Sequence, residues 1–228
     1  MQNSHPPMIQ GTAFREKFVH IDELVEHHFS KFSEPSHPCR ITLSAALKKL
    51  DHRPAFIIET GSSAWGANSS QLFDSYVNSF GGHFISVDIR DEPMKNLQNI
   101  CTSLSTFVCD DSANFLRNFS RSGLKPDLIY LDSWDVDWSN PIPAEIHGLA
   151  EFLYVFPCLK PGALLLVDDT PKNIEIMEKV QNAFTNQFNL FQNVYGISPG
   201  KGGLIKNFLE KNGIGHELMH EYQLLWKF

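Results

Sequence analysis

An open α/β sheet, mostly parallel and covered by helices on both faces, is the fold this sequence predicts. Short apolar runs alternate with helix-like segments at least five times along the chain. A length of 228 residues, 42% apolar and 20% charged, suits one domain with a sizeable core. The first apolar run, Ala55 to Ile58, passes through Glu59, Thr60 and Gly61 into small residues ending at Gly66, and a helix-like segment follows from Gln71 to Phe80. Strand, glycine turn and helix open a nucleotide-binding sheet, because the turn must bend sharply and bring bare backbone to a ligand.

Residues 1 to about 12 are polar, with Pro6 and Pro7, and read as a disordered tail. Phe14 to Phe32 has helical spacing, with Phe18, Ile21, Leu24 and Val25 on one face. Its His20, His27 and His28 point in different directions and read as surface residues. Two prolines between Ser33 and Pro38 end that helix, and Thr42 to Leu50 forms a second. Residues 1–53 therefore make a tail and helical cap, and 54–228 the sheet domain.

The helix after the first strand stops at Gly81-Gly82. His83 to Ile89 is the second strand, Asp91 to Leu104 a helix, and Thr106 to Cys109 the third strand. Asp111 or Ser112 could cap the helix Ala113 to Phe119. The run LIYLD, ending at Asp132, is the fourth strand; a loop bearing Trp134 and Trp138 leads to the helix Ala144 to Phe156. Lys160-Pro161-Gly162 turns into the fifth strand, Ala163 to Val167. Pro171 starts a helix reaching about Phe184, and Asn193 to Ile197 reads as the sixth strand. Gly200 to Gly203 opens a helix to Lys211, and Tyr222 to Phe228 is the last strand.

Net charge of −7 argues against a protein that tracks nucleic-acid phosphates. No apolar run approaches the roughly 20 residues that span a bilayer, and the N-terminus shows no secretory pattern. The cysteines, Cys39, Cys101, Cys109 and Cys158, form no C-x-x-C pair and read as buried free thiols in a reducing compartment. The expectation is a soluble, cytoplasmic protein without nucleic-acid or membrane partners. The sequence neither demands nor excludes a homo-oligomer.

Five strands end in an acid or reach one within a residue or two: Glu59, Asp88, Asp110-Asp111, Asp132 and Asp168-Asp169. In an open parallel sheet the ligand lies beyond the carboxyl ends of the strands, so these acids should converge on one crevice. Asp88 follows Gly61 at roughly the spacing of a carboxylate that holds ribose hydroxyls. Asp111 and Ser112 could meet an adenine amine and ring nitrogen. Asp132, Asp168 and Asp169 would repel one another if left together without a counter-charge. Either one or two of them cap the following helices, or a divalent cation resolves this, and all-oxygen ligation favours magnesium, calcium or manganese.

Taken together, ETGSSAWG, VDIRDE, VCDDSANFL, DLIYLDSWD and LKPGALLLVDD resemble, in order, the motifs of class I S-adenosylmethionine-dependent methyltransferases, over about residues 42 to 228. The resemblance implies a Rossmann-like, doubly wound, seven-stranded sheet and S-adenosylmethionine as cofactor. It implies cofactor contacts from Glu59, Gly61, Ser62, Gly66, Asp88, Asp111, Ser112 and Asp132. The glycine turn is one residue longer than usual, so Asn68 and Ser69 are both candidates. LDSWD and VDD are similar to the metal-dependent O-methyltransferases of catechol, macrolide-sugar, aminocoumarin and cephalosporin type. That likeness implies metal ligands at Asp132, Asp168 and Asp169, and a small polyhydroxylated acceptor as partner.

Asp135 stands where the catechol-type enzymes carry a lysine base, and is the candidate base, with Asp137 behind it. Trp134 and Trp138 either wall the acceptor or simply pack. Lys201 either meets an acidic group of the acceptor or, as preferred, is a solvated loop lysine. The last two strands, a close hairpin in that family, are expected here to lie about 25 residues apart. Two alternatives remain. An NAD(P)-dependent oxidoreductase would share the first strand-turn-helix and Asp88, but would leave Asp132 and Asp168-Asp169 unexplained. A non-catalytic S-adenosylmethionine-binding protein fits the replacement of the better-understood base.

Overall fold

A computed structural model describes residues 16–62, 66–180 and 185–228. The tail, Ser63 to Trp65 of the glycine turn, and the expected helix end at Phe184 lie outside the described residues. Two helices, α1 (Ile21–Lys31) and α2 (Arg40–Leu50), precede the sheet. The alternating part runs β1 (Ala55–Thr60), α3 (Ser69–Phe80), β2 (Gly82–Asp88), α4 (Asp91–Ile100), β3 (Ser105–Cys109), α5 (Ser112–Phe119), β4 (Leu128–Leu131), α6 (Ile142–Val155) and β5 (Leu164–Val167). It closes with α7 (Ile174–Val180), α8 (Thr185–Tyr195), α9 (Gly203–Asn212), β6 (His216–His220) and β7 (Leu224–Lys227).

The sheet has seven strands in the order β3-β2-β1-β4-β5-β7-β6. Strands β1 to β5 are parallel, and β7 runs antiparallel to both β5 and β6. Successive side chains of each strand point to opposite faces. Ile57, Phe84, Tyr130 and Leu166 therefore share a core with α1 to α4, while Ile58, Ile129, Leu165 and Val167 share one with α5, α6 and α9. Both faces are dry, which is why LIYL and LLLV read as unbroken apolar runs. Each such buried aliphatic side chain stabilises the fold by roughly 1.5–3 kcal/mol. Leu24, Val25, Phe29, Leu43 and Leu47 belong to the first core, so α1 and α2 are packed into the sheet's own interior.

The order of strands reverses between β1 and β4, the switch point at which open α/β sheets leave a crevice. Gly61 sits there at φ +78°, and a Cβ on it would lie 2.3 Å from the carbonyl oxygen of Asp132. Only glycine lets the two strand ends approach this closely.

Several local expectations are corrected. Asn193 to Ile197 is not a strand: Asn193 to Tyr195 end α8, in which Phe188 and Phe191 are buried and set a helical spacing. The sixth strand is instead β6, an edge strand whose polar HELMH composition hid it. The last two strands form a close hairpin joined through Glu221 to Gln223. Pro171 does not begin α7, which starts at Ile174 after Asn173 Oδ1 has accepted the Ile176 amide at 3.0 Å. The helix expected from Phe14 begins at Ile21. Among the described residues no helix is long and apolar enough to cross a membrane.

Candidate active site

Two cavities adjoin the carboxyl ends of the central strands. The first, about 200 Å³, is lined by Gly61, Ser62, Asp88, Ser112, Asp132 and Asp135, among others. Asp88 ends β2 on its floor. Its Oδ1 accepts the Arg90 amide at 2.8 Å and Nε at 3.0 Å; its Oδ2 accepts the Ser62 amide at 2.8 Å and Arg90 Nη2 at 2.7 Å. Burial pushes this carboxyl up, but the Arg90 guanidinium and the two amides outweigh it and hold it below the usual range. Four donors fill the four acceptor positions of the carboxylate.

Ser112 and Ser133 line the same crevice. The Ser112 hydroxyl lies 3.2 Å from Ser133 Oγ and 3.0 Å from His147 Nε2. Ser133 donates to the buried Glu151 at 2.7 Å and meets His147 Nε2 at 2.9 Å. The Glu151 carboxylate, 3.6 Å from Nε2, pushes the His147 imidazole up, against its partial burial. Trp134 is exposed at the crevice and its ring centre lies 5.1 Å from that of His147.

The second cavity, about 480 Å³, is lined by Cys39, Ala67, Trp138, Asp168, Asp169 and Tyr222, and shares Asp132 and Asp135 with the first. Asp132, Asp168 and Asp169 each offer an oxygen within 4.8 Å of the others. Every acid of the trio has an anchor. Tyr130 donates to Asp132 Oδ2 at 3.1 Å, Gln223 to Asp168 Oδ1 at 2.6 Å, and Tyr222 to Asp169 Oδ1 at 2.5 Å. Thr42 of α2 in turn holds Gln223. Lys201 is 2% exposed, and its ammonium lies 2.8 Å from Asp132 Oδ1 and 3.0 Å from Asp169 Oδ2. Burial and the Asp168 charge push Asp132 well up, against Lys201; burial likewise leaves Asp169 raised. Asp168 is held down, because Lys201 and its hydrogen bonds outweigh burial.

The strand-end acids do not all reach one crevice. Glu59 is fully buried and accepts the Ser69, Ser70 and Ser86 hydroxyls at 2.5, 2.5 and 2.6 Å, so it ties the start of α3 to β1 and β2. Burial raises its pKa to about 7. Asp111 is exposed and caps α5 by accepting the Asn114 amide at 2.8 Å, with Asp110 holding the Asn114 side chain. Asn68, with φ +49°, precedes α3 and donates to the Phe32 carbonyl, while Ser33 donates to the Gly66 carbonyl. Asp137 is exposed and accepts the Ser139 amide and hydroxyl.

Three readings of single residues are overturned. His28 is buried, not exposed: its Nε2 meets the Ala67 carbonyl at 2.7 Å, and burial lowers its pKa to about 4. Lys201 is an interior ammonium rather than a solvated one. Cys109 is exposed, whereas Cys39 and Cys158 are buried. Sequence reasoning also missed Tyr130, Tyr222, Gln223 and Thr42. The available signal was a glutamine directly before the apolar run Leu224 to Trp226, where a fully buried amide must find partners.

No family model matches the chain, and neither does any curated protein sequence. Solved structures do. MycE methyltransferase from the mycinamycin biosynthetic pathway, in complex with Mg and SAH, superposes at a TM-score of 0.61 with 15% identity over 93% of this chain. The same protein with Mg, SAH and mycinamycin VI gives 0.58 at 18% identity. This chain spans 55% and 54% of the length of those two chains. The SAH-bound Podospora anserina methyltransferase PaMTH1 gives 0.53 at 11% identity, covering 91% of this chain and 87% of its own. The likeness is one of fold: this chain shares the doubly wound α/β architecture of these methyltransferases.

Proposed function

We propose that the chain transfers a methyl group from S-adenosylmethionine to a hydroxyl of a small polyhydroxylated acceptor, assisted by a divalent cation. The carrying observation is that two cavities of different chemistry meet at Asp132 and Asp135. One has a ribose-type carboxylate at a switch point; the other has three convergent carboxylates. The cofactor supplies a methyl carbon already made electrophilic by its sulfonium. The protein's share is then to align the acceptor and remove its proton.

Asp88 is placed to hold a ribose diol, and Arg90 must yield its bonds for that to happen. Its side chain is 58% exposed, and swinging outward would also break its bond to the Ser62 carbonyl at 2.8 Å. Its departure also enlarges a crevice of about 200 Å³, smaller than the roughly 300 Å³ at which ligand pockets begin. The Ser112 and Ser133 hydroxyls, fixed by His147 and Glu151, suit an adenine edge.

The trio fits a hard cation. Three carboxyl groups offer oxygens within 4.8 Å of one another, and oxygen donors favour magnesium, manganese or calcium, whose charge would draw the acids into their ionised forms. Asp132, Asp168 and Asp169 would hold it, and it would lower an acceptor hydroxyl's pKa and fix its direction. Asp135, on the wall shared by both cavities, takes the proton. Trp138 and Tyr222 shape the acceptor's side. MycE, with Mg, SAH and mycinamycin VI bound, supports this reading by analogy of fold.

Calorimetric titration of S-adenosylhomocysteine, NAD and NADP into metal-free and magnesium-loaded protein tests it. S-adenosylhomocysteine should bind and the nicotinamides should not. NAD binding without any response to S-adenosylhomocysteine would replace this reading with a dehydrogenase.

A further inference from the structure

Methyl transfer assigns no task to Lys201, yet the chain builds an enclosure for its ammonium. The loop is pinned by the Lys201 amide to the Asp169 carbonyl at 3.2 Å and by the Gly202 amide to Thr170 Oγ1 at 2.9 Å. The Gly200 amide donates to the buried Glu145 of α6 at 3.1 Å. Helix α6 comes so near that a Cβ on Gly148 would lie 2.5 Å from the Lys201 carbonyl oxygen. Nζ also donates to the Asp132 carbonyl at 3.3 Å. A solvated lysine needs none of this. Burying an ammonium is strongly unfavourable unless carboxylates compensate it.

The remaining anchors of the trio, Tyr130, Tyr222, Gln223 and Cys39, are neutral donors. Among the described residues Lys201 is thus the cation paired with two of the three acids, Asp132 and Asp169. It is absent from the residues that line the acceptor cavity, so it stands behind the acids and leaves their cavity side open.

We propose that Lys201 is a positioning residue, the resident counter-cation of the Asp132–Asp168–Asp169 trio, which shares Asp132 and Asp169 with the divalent ion and sets how tightly that ion is held. The inference rests on the metal-assisted reading above. A fixed positive charge beside shared ligands opposes a second cation, so the ammonium weakens metal binding. The same charge keeps the trio assembled when no metal is present.

The test uses the full chain, wild type and Lys201→Met, with manganese binding followed by calorimetry and thermal melting with and without chelator. Lys201→Met should bind manganese at least about tenfold more tightly, a floor set far below the roughly thousandfold that a unit charge about 4 Å away is worth at an effective dielectric near 20. Manganese should also raise its melting temperature more than that of wild type, and Lys201→Arg, which keeps the charge, should stay near wild type. Equal or weaker binding by Lys201→Met, with wild type still binding, overturns the proposal and leaves the metal reading standing. Binding by Lys201→Met alone overturns the sharing of ligands and removes the metal from the wild-type function. Binding by neither overturns both. If Lys201→Met does not fold, nitrogen-15 lysine NMR of wild type decides. The buried ammonium resonance, identified by its loss in Lys201→Arg, should shift on adding magnesium; an unmoved resonance while magnesium binds overturns the proposal.

Discussion

Glu59 and His28 hold neighbouring parts of the loop after β1, and their protonation pulls stability in opposite directions. Glu59 is raised from 4.5 to about 7, so its contribution is complete below 4.5 and is lost as pH rises through about 7. His28 is lowered from 6.5 to about 4, so its contribution is complete above 6.5 and is lost as pH falls through about 4. Each displacement corresponds to on the order of 3 kcal/mol. Between about pH 4.5 and 6.5 the two slopes oppose each other. Glu59→Gln should therefore expose the His28 slope, and its urea-unfolding free energy should fall more steeply than wild type from pH 7 to 4.5. Parallel pH profiles for the two proteins would contradict this. For the proposed base, Asp135→Asn should lower kcat by roughly 10²–10⁴ while sparing S-adenosylhomocysteine affinity; normal turnover would show that another group takes the proton. Arg90→Ala should tighten S-adenosylhomocysteine binding, because the competitor for Asp88 is gone, and weaker binding would mean that Arg90 itself contacts the ligand.

Helix α6 carries two functions on adjacent turns: Glu145 and Gly148 seat the Lys201 loop, while His147 and Glu151 fix the crevice serines. Gly148→Ala forces the Lys201 backbone away and should cost about 1–3 kcal/mol by overpacking. A melting temperature equal to wild type would mean that the loop yields freely. The central strands and their helices were legible in sequence because dry parallel strands write themselves as apolar runs bounded by glycine or proline. Strand β6 was not, since an exposed edge strand carries no apolar signature, and its absence moved the sixth strand onto the end of α8. The acid trio was legible because strand ends are fixed by those same runs. Lys201 was not, because the burial of a loop lysine is decided by the glycines and by α6, far away in sequence, that close over it.

Across the whole molecule, convergence of strand-end acids was legible only in part. Asp88 and Asp132 reach the first cavity and Asp168 and Asp169 the second, while Glu59 turns inward and Asp111 caps a helix. The alternation of side chains along a strand decides which acid faces out, and the register that fixes it depends on neighbouring strands. The N-terminal helices also do more than cover the sheet. His28 and Ser33 hold the glycine loop, and Thr42 holds Gln223 against Asp168, so the second cavity depends on them. The most direct test is a crystal structure of the protein with S-adenosylhomocysteine and manganese. The ribose should lie on Asp88 with Arg90 displaced, the sulfur should face the wall formed by Asp132 and Asp135, and the anomalous manganese peak should sit among Asp132, Asp168 and Asp169. Ligand density away from the β1–β4 crevice, or a trio without metal, would contradict the account.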